Sequence, residues 1–256
     1  MFASNPGAVG PPFLTGVHGF SSKDVWAVGA GGIVSHYDGT TWTTTCLGIG
    51  DNCSGLLTNG EPLLSVWGSS SADLFAVGAY GTIIHFDGQQ WVKMTSGTTL
   101  TLYDVWGSSG SNVYSVGMNS STAAWVVLHY DGTSWQKVDA DPALLNRSTG
   151  VWGGGQGDVY VVGDFTTHFD GSSWQRLPVP INYSMIGVGG SSSKDVFIVG
   201  SFGAVMHWNG STWKAYDGLL DPSSSLGLET VWTDGQSVFI VGHTQPLGII
   251  ITGLRQ

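Results

Sequence analysis

The chain has 256 residues, of which 41% are apolar, 12% aromatic and only 10% charged, with 40 glycines. This is the composition of a turn-rich folded protein and excludes a disordered one, which would carry more charge and fewer rings. A net charge of −10, with only eight Lys and Arg, repels phosphate backbones and anionic lipid, so neither nucleic acid nor a membrane surface is an expected partner.

The first residues, MFASNPGAVGPP, lack the basic and apolar regions of a signal peptide. No later apolar run approaches the roughly 18 residues of a membrane span. From Gly16 onward one pattern recurs six times: GVHGFSSKDVWAVG, SVWGSSSADLFAVG, DVWGSSGSNVYSVG, GVWGGGQGDVYVVG, GVGGSSSKDVFIVG and TVWTDGQSVFIVG. The copies begin near residues 16, 65, 104, 150, 187 and 230, and their anchor valines (Val17, Val66, Val105, Val151, Val188, Val231) lie 49, 39, 46, 37 and 43 apart.

The uneven period splits into a near-fixed part and a variable part. From each valine to the tryptophan of an octet such as HYDGTTWT the count is 25, 25, 30, 23 and 25; from that tryptophan to the next valine it is 24, 14, 16, 14 and 18. Rigid strands joined by surface loops behave this way. Each unit reads as four short strands: one ending in Val-Trp-Gly, one of the DVWAVG type, one of the TIIHF type, and one after Asp-Gly or Asn-Gly. That dipeptide predicts a two-residue hairpin with both members at positive φ, which places Trp42 opposite Ser35. Repeats of about 40 residues with four strands each predict an all-β, six-bladed β-propeller of antiparallel blades, a single domain over residues 1–256. The sixth copy lacks its last strand. Phe2, 15 residues before Val17, falls in the right range, so residues 1–6 are expected to complete that blade and close the ring.

The only cysteines, Cys46 and Cys53 in CLGIGDNC, read as a local disulfide and hence an oxidising compartment, extracellular or at the cell surface. Two ligands are too few for structural zinc, and no metal or other cofactor is expected.

The motif V-W-G-S-S-x-x-D-V-[FWY]-x-V-G…H-[FY]-D-G-x-x-W resembles the tandem propeller repeats of bacterial secreted and cell-surface proteins. Its Asp-Gly-x-x-Trp part is similar to the Asp-box of sialidase-type propellers, with one residue fewer between Asp and Gly. The resemblance implies a fold shared by lectins, protein-binding platforms and enzymes alike. Arg147, Arg176 and Arg255 do not match the arginine triad of a sialidase, so no catalytic role carries over.

His36, His85, His129, His168 and His207 belong to five different blades, on strands too far from the axis to share an ion whose ligands sit about 2 Å from it. They are expected to bond within their own blades, with Asp24, Asp73, Asn112, Asp158 and Asp195 as the candidate partners. The octet tryptophans and the inner Trp67, Trp106, Trp152 and Trp232 read as packing. Function is expected where copies differ, on the end carrying the loops between strands two and three and those leading into strand one: Tyr80, Phe202, Asp164, His243, Glu61, Glu229 and Tyr183 are the candidate ligand-binding residues. No catalytic residue is assigned. The leading expectation is a non-catalytic recognition module of an exported bacterial protein, a monomeric domain binding a carbohydrate or a protein surface. One alternative is a glycoside hydrolase or lyase using Glu61 and Glu229, the only two glutamates. Another is a structural spacer.

Overall fold

The computed structural model describes residues 13–141, 144–145, 147–179, 183–216, 225–244 and 247–254. Each repeat folds as an antiparallel meander with its strands in sequence order. Blade one comprises β1 (Leu14–Ser21), β2 (Asp24–Gly29), β3 (Ile33–Tyr37) and β4 (Trp42–Cys46). Blade two comprises β5 (Leu63–Ser70), β6 (Asp73–Gly78), β7 (Ile83–Phe86) and β8 (Trp91–Met94). Blade three comprises β9 (Thr101–Ser109), β10 (Asn112–Asn119), β11 (Ala124–Tyr130) and β12 (Trp135–Lys137). Blade four comprises β13 (Gly150–Gly155), β14 (Asp158–Val162), β15 (Thr166–Phe169) and β16 (Trp174–Arg176). Blade five comprises β17 (Met185–Ser192), β18 (Asp195–Gly200), β19 (Val205–Trp208) and β20 (Trp213–Ala215). Blade six has β21 (Gly227–Thr233), β22 (Ser237–Thr244) and β23 (Leu247–Leu254). The chain is thus all-β and six-bladed, a β-propeller. The expected strand at residues 1–6 lies outside the described residues. Two compact units divide the chain, Met1–Tyr103 with blades one and two and the first residues of β9, and Asp104–Gln256 with the rest of blade three and blades four to six.

The second strand of each blade reads as a continuous apolar run because both of its faces are covered. Val28, Val77, Val116, Val162 and Val199 are fully buried, and the aromatic two residues earlier is at most 7% exposed in blades one to five. Blade six departs from this: Phe239 is 41% and Val241 42% exposed at those positions, beside Trp232 at 58%. Of the inner tryptophans of the second unit, Trp106 and Trp152 pack as expected, whereas Trp232 is exposed. A Cβ on Gly153 would lie 2.5 Å from the Trp106 ring, and one on Gly190 2.7 Å from the Trp152 ring. Only glycine lets neighbouring inner strands close on those indoles.

The octet hairpins turn one residue later than expected, which moves the strand pairing by two residues. Tyr37 pairs with Trp42 and Ser35 with Thr44, so Trp42 does not face Ser35. Asp38 is the residue before the tight turn rather than a central one: its amide bonds the Thr41 carbonyl and its Oδ1 accepts the Thr40 and Thr41 amides, each at 2.8 Å. Gly39, at φ 92°, is the first central residue and Thr40 has no positive φ, the pattern of a type II′ turn. An Asp side chain that replaces a backbone acceptor explains the shift. Asp87, Asp131 and Asp170 repeat the device, Asn209 carries it in blade five, and Asp234 carries it between β21 and β22.

These turn amides hold the carboxyls of Asp38, Asp87, Asp131 and Asp234 below the usual carboxylate range, and at Asp170 the Ser172 hydroxyl and the Ser173 and Ser172 amides bring it to about 2. Folded-state values lie below unfolded ones, so the contribution is complete above the unfolded value of about 4 and is lost as pH falls through the folded values. We expect these carboxyls to contribute a fall in Tm between about pH 4 and pH 2. Asp170→Asn should flatten part of that drop, and an unchanged acid profile would contradict the assignment.

Cys46 and Cys53 are disulfide-bonded. The bond clips the loop after β4, whose Leu47 and Leu57 are buried in the core of the first unit. A loop this short limits the chain-entropy gain, so the Cys46→Ser/Cys53→Ser pair is expected to cost about 2 kcal/mol. A Tm fall of roughly 5 °C would report it, and an unaltered Tm would rule it out.

Candidate functional site

The five histidines are architectural. Each Nε2 bonds Oδ1 of the residue that opens its blade's second strand: His36–Asp24 at 2.8 Å, His85–Asp73 at 2.6 Å, His129–Asn112 at 2.7 Å, His168–Asp158 at 2.5 Å and His207–Asp195 at 2.9 Å. Each imidazole also stacks on the strand-two aromatic, at 4.1–4.4 Å between centroids for Trp26, Phe75, Tyr114, Tyr160 and Phe197. In blades two and five the remaining carboxylate oxygen accepts from Ser69 or Ser191. Among the described residues no three His, Cys, Asp or Glu side chains gather as a metal site would require.

At the loop end, the connection between strands two and three meets the segment leading into strand one. Backbone bonds tie the two together: Ala79 to Pro62 in blade two, Ser201 to Ser184 in blade five, and Met185 to Gly163 between blades four and five. In the first unit Tyr80 is exposed on this end at φ 56° and lines an open hollow of about 910 Å³ with Lys93 and the Thr95–Leu100 segment. Glu61 is not exposed there. It is 1% exposed, its Oε1 takes Lys93 Nζ at 2.9 Å, and its Oε2 takes the Asn59 amide at 2.9 Å. Burial alone would raise its pKa. The Lys93 ammonium and the backbone amides outweigh that and hold it below the ordinary value. A general acid needs the opposite shift, so Glu61 does not fit that role.

In the second unit three of the expected residues come together. Tyr183 and Phe202 face each other at 5.2 Å between ring centroids, both exposed. Tyr183 and Asp164 line a hollow of about 390 Å³ with Phe165 and Arg176, whose guanidinium lies 3.6 Å from the Phe165 centroid. Further along, His243 Nδ1 meets Glu229 Oε1 at 3.1 Å, each about half exposed.

Arg176 is a member that the sequence reading did not place at the site. It stands two residues after its octet tryptophan, like Lys93 and Lys137, and each projects toward the loop end of its blade: Lys93 to Glu61, Lys137 over Trp125, Arg176 over Phe165. Tyr80 and Phe202 share one further property. Both occupy the position that is Gly31 in blade one, and both keep its left-handed backbone, at φ 56° and 59° against 68°. A non-glycine residue held there carries strain of about 1 kcal/mol or more, and such strain gathers at sites of recognition.

No family model matches the chain, and no curated protein matches it. Among solved structures, a GH74 xyloglucanase from Xanthomonas campestris aligns over 95% of this chain at 15% identity with a TM-score of 0.72. This chain spans 44% of that enzyme. YCF48 bound to a D1 peptide aligns over 96% of this chain and 94% of its own at 12% identity, TM-score 0.51. The WD40 repeats of RRP9 align over 92% of this chain and 75% of their own at 10% identity, TM-score 0.67. At such identities the likeness establishes the propeller fold and nothing finer.

Proposed function

We propose that the chain is a non-catalytic recognition module of an exported protein, holding a polypeptide surface against the loop end of blades four and five. The observation that carries this reading is the exposed Tyr183–Phe202 pair, one ring of which is kept in a left-handed conformation that the fold itself fills with glycine in blade one. Exposed aromatics beside an Arg and an Asp are the side chains that dominate protein-binding hot spots. The YCF48 neighbour, solved with a peptide, is consistent with a propeller of this kind serving as a peptide platform. The disulfide supports an oxidising, exported setting. Glu61, buried in an ion pair, argues against the hydrolase alternative as first framed.

The test selects a phage-displayed library of random 12-residue peptides on the whole chain. Peptides bound by the wild type should lose at least roughly tenfold in affinity to Phe202→Gly and Tyr183→Ser. Phe202→Gly relieves backbone strain, so its Tm should be no lower than that of the wild type. Failure to select any peptide, or equal binding by both variants, would defeat the reading.

A further inference from the structure

Two departures from the repeat meet at one groove that begins at the opposite end of the blades, where strand one turns into two and strand three into four, and runs along them to Lys137 and Asp139. The groove is about 770 Å³ and lies between blades three and four. The first departure opens it. In every octet hairpin the turn glycine stands over the residue preceding strand two. A Cβ on Gly39 would lie 2.7 Å from Lys23, on Gly210 2.9 Å from Lys194, on Gly88 3.1 Å from Ala72 and on Gly132 2.9 Å from Ser111. In blade four that residue is Gly157, and Gly171 meets only its backbone, at 3.4 Å or more. No side chain fills the end of blade four, and Gln156, Gly157, Gly171 and Ser172 become one wall of the groove.

The second departure removes charge from the other wall. Blades one, two, four and five set a carboxylate against the histidine; blade three sets Asn112. Asn112 Nδ2 donates to Ser108 Oγ at 2.7 Å, so its Oδ1 accepts from His129 Nε2–H at 2.7 Å, and His129 Nδ1 remains an acceptor. Burial holds this imidazole below its ordinary pKa, against a smaller opposite pull from Asp131, so it is neutral at physiological pH. Lys137 and Asp139 are the charged lining residues and cancel. What remains is the amides of Gln136 and Gln156, the Ser172 hydroxyl, and ring surface from Phe169 and Trp174.

We propose that this groove binds an uncharged oligosaccharide. Amides and a neutral imidazole supply donors and acceptors for hydroxyl groups without favouring an ion, ring surface packs against the C–H faces of pyranoses, and the volume lies inside the usual range of about 300–1,000 Å³ for small-ligand sites. The site shares no residue with the hollow lined by Tyr183 and Asp164, so it stands or falls independently of the peptide reading.

The test titrates the whole chain with chitotriose, cellotriose and maltotriose at up to millimolar concentration, followed by calorimetry and amide chemical shifts. At least one is expected to bind saturably, with shifts at Gln136, Gln156 and Gly157. Gly157→Lys installs the residue that blades one and five carry there and should reduce affinity at least tenfold. Gln136→Ala should do the same without adding bulk, which covers the case of a poorly folded Gly157→Lys. Tyr183→Ser should leave sugar binding unchanged. No binding by any of the three sugars overturns the proposal, and so does binding that is indifferent to both groove variants.

Discussion

Phe197→Ala is expected to remove about 3–5 kcal/mol of stability, while Phe239→Ala, at the same position of the next repeat, removes less than about 1 kcal/mol. The chemistry of the two substitutions is identical and the repeats around them are near copies. Phe197 is 6% exposed, stacks on His207 and belongs to a core shared with Val231, Val238 and Ile240 of blade six. Phe239 lies against Trp232 at 41% exposure, with Thr252 rather than a histidine across from it on β23. A cavity left at Phe197 has neighbours on both sides and nothing to refill it; water already reaches Phe239. Thermal denaturation of the two variants would show the asymmetry, with a Tm loss at Phe197→Ala of roughly 10 °C. Equal losses would mean that blade six is covered like its neighbours.

His207→Ala is expected to cost about 2–4 kcal/mol, and His36→Ala clearly less. Both remove an imidazole that bonds a carboxylate and stacks on a strand-two aromatic. They differ in access: the side chains of His207 and Asp195 are 14% and 8% exposed, those of His36 and Asp24 33% and 25%. Removing His207 takes away one partner of the buried Asp195 carboxylate, which also accepts from the Ser191 hydroxyl, whereas water can take the place of His36. Adding Asp195→Asn to His207→Ala should recover part of the loss, because an amide is cheaper to bury than a carboxylate. A double variant no more stable than the single would show that the histidine acts by packing alone.

Much of the fold was legible because repetition turns weak local signals into strong ones. A single Asp before a single strand means little; the same Asp or Asn twelve to seventeen residues before a histidine in several copies identifies the partner of His36, His85, His129 and His207, and the pairing at His168 follows it at ten. Hairpin register was less legible. Asp-Gly reads equally well as the two central residues of a turn or as its first residue and first central one, and only the Asp38 side chain, by accepting two amides, decides for the second. At the candidate site Tyr183, Phe202 and Asp164 were visible as departures from the repeat. The burial of Glu61 was not, since it depends on Lys93, 32 residues away, reaching back across the blade. Arg176 was overlooked because its place after the octet tryptophan looked like ordinary strand, although Lys93 and Lys137 hold the same place. The groove between blades three and four rests on Asn112 and Gly157, two small departures that gain meaning only when the folded blades bring them to opposite walls.

Repeated positions hold the blades, and divergent positions are the ones proposed to meet ligands. Backbone amide chemical shifts, recorded as a peptide selected on the wild type is added, test that division most directly. The account predicts perturbations confined to Asp164, Phe165, Arg176, Tyr183, Phe202 and their chain neighbours. Perturbations centred on the repeated histidines and their aspartates, with the loop end silent, would contradict it.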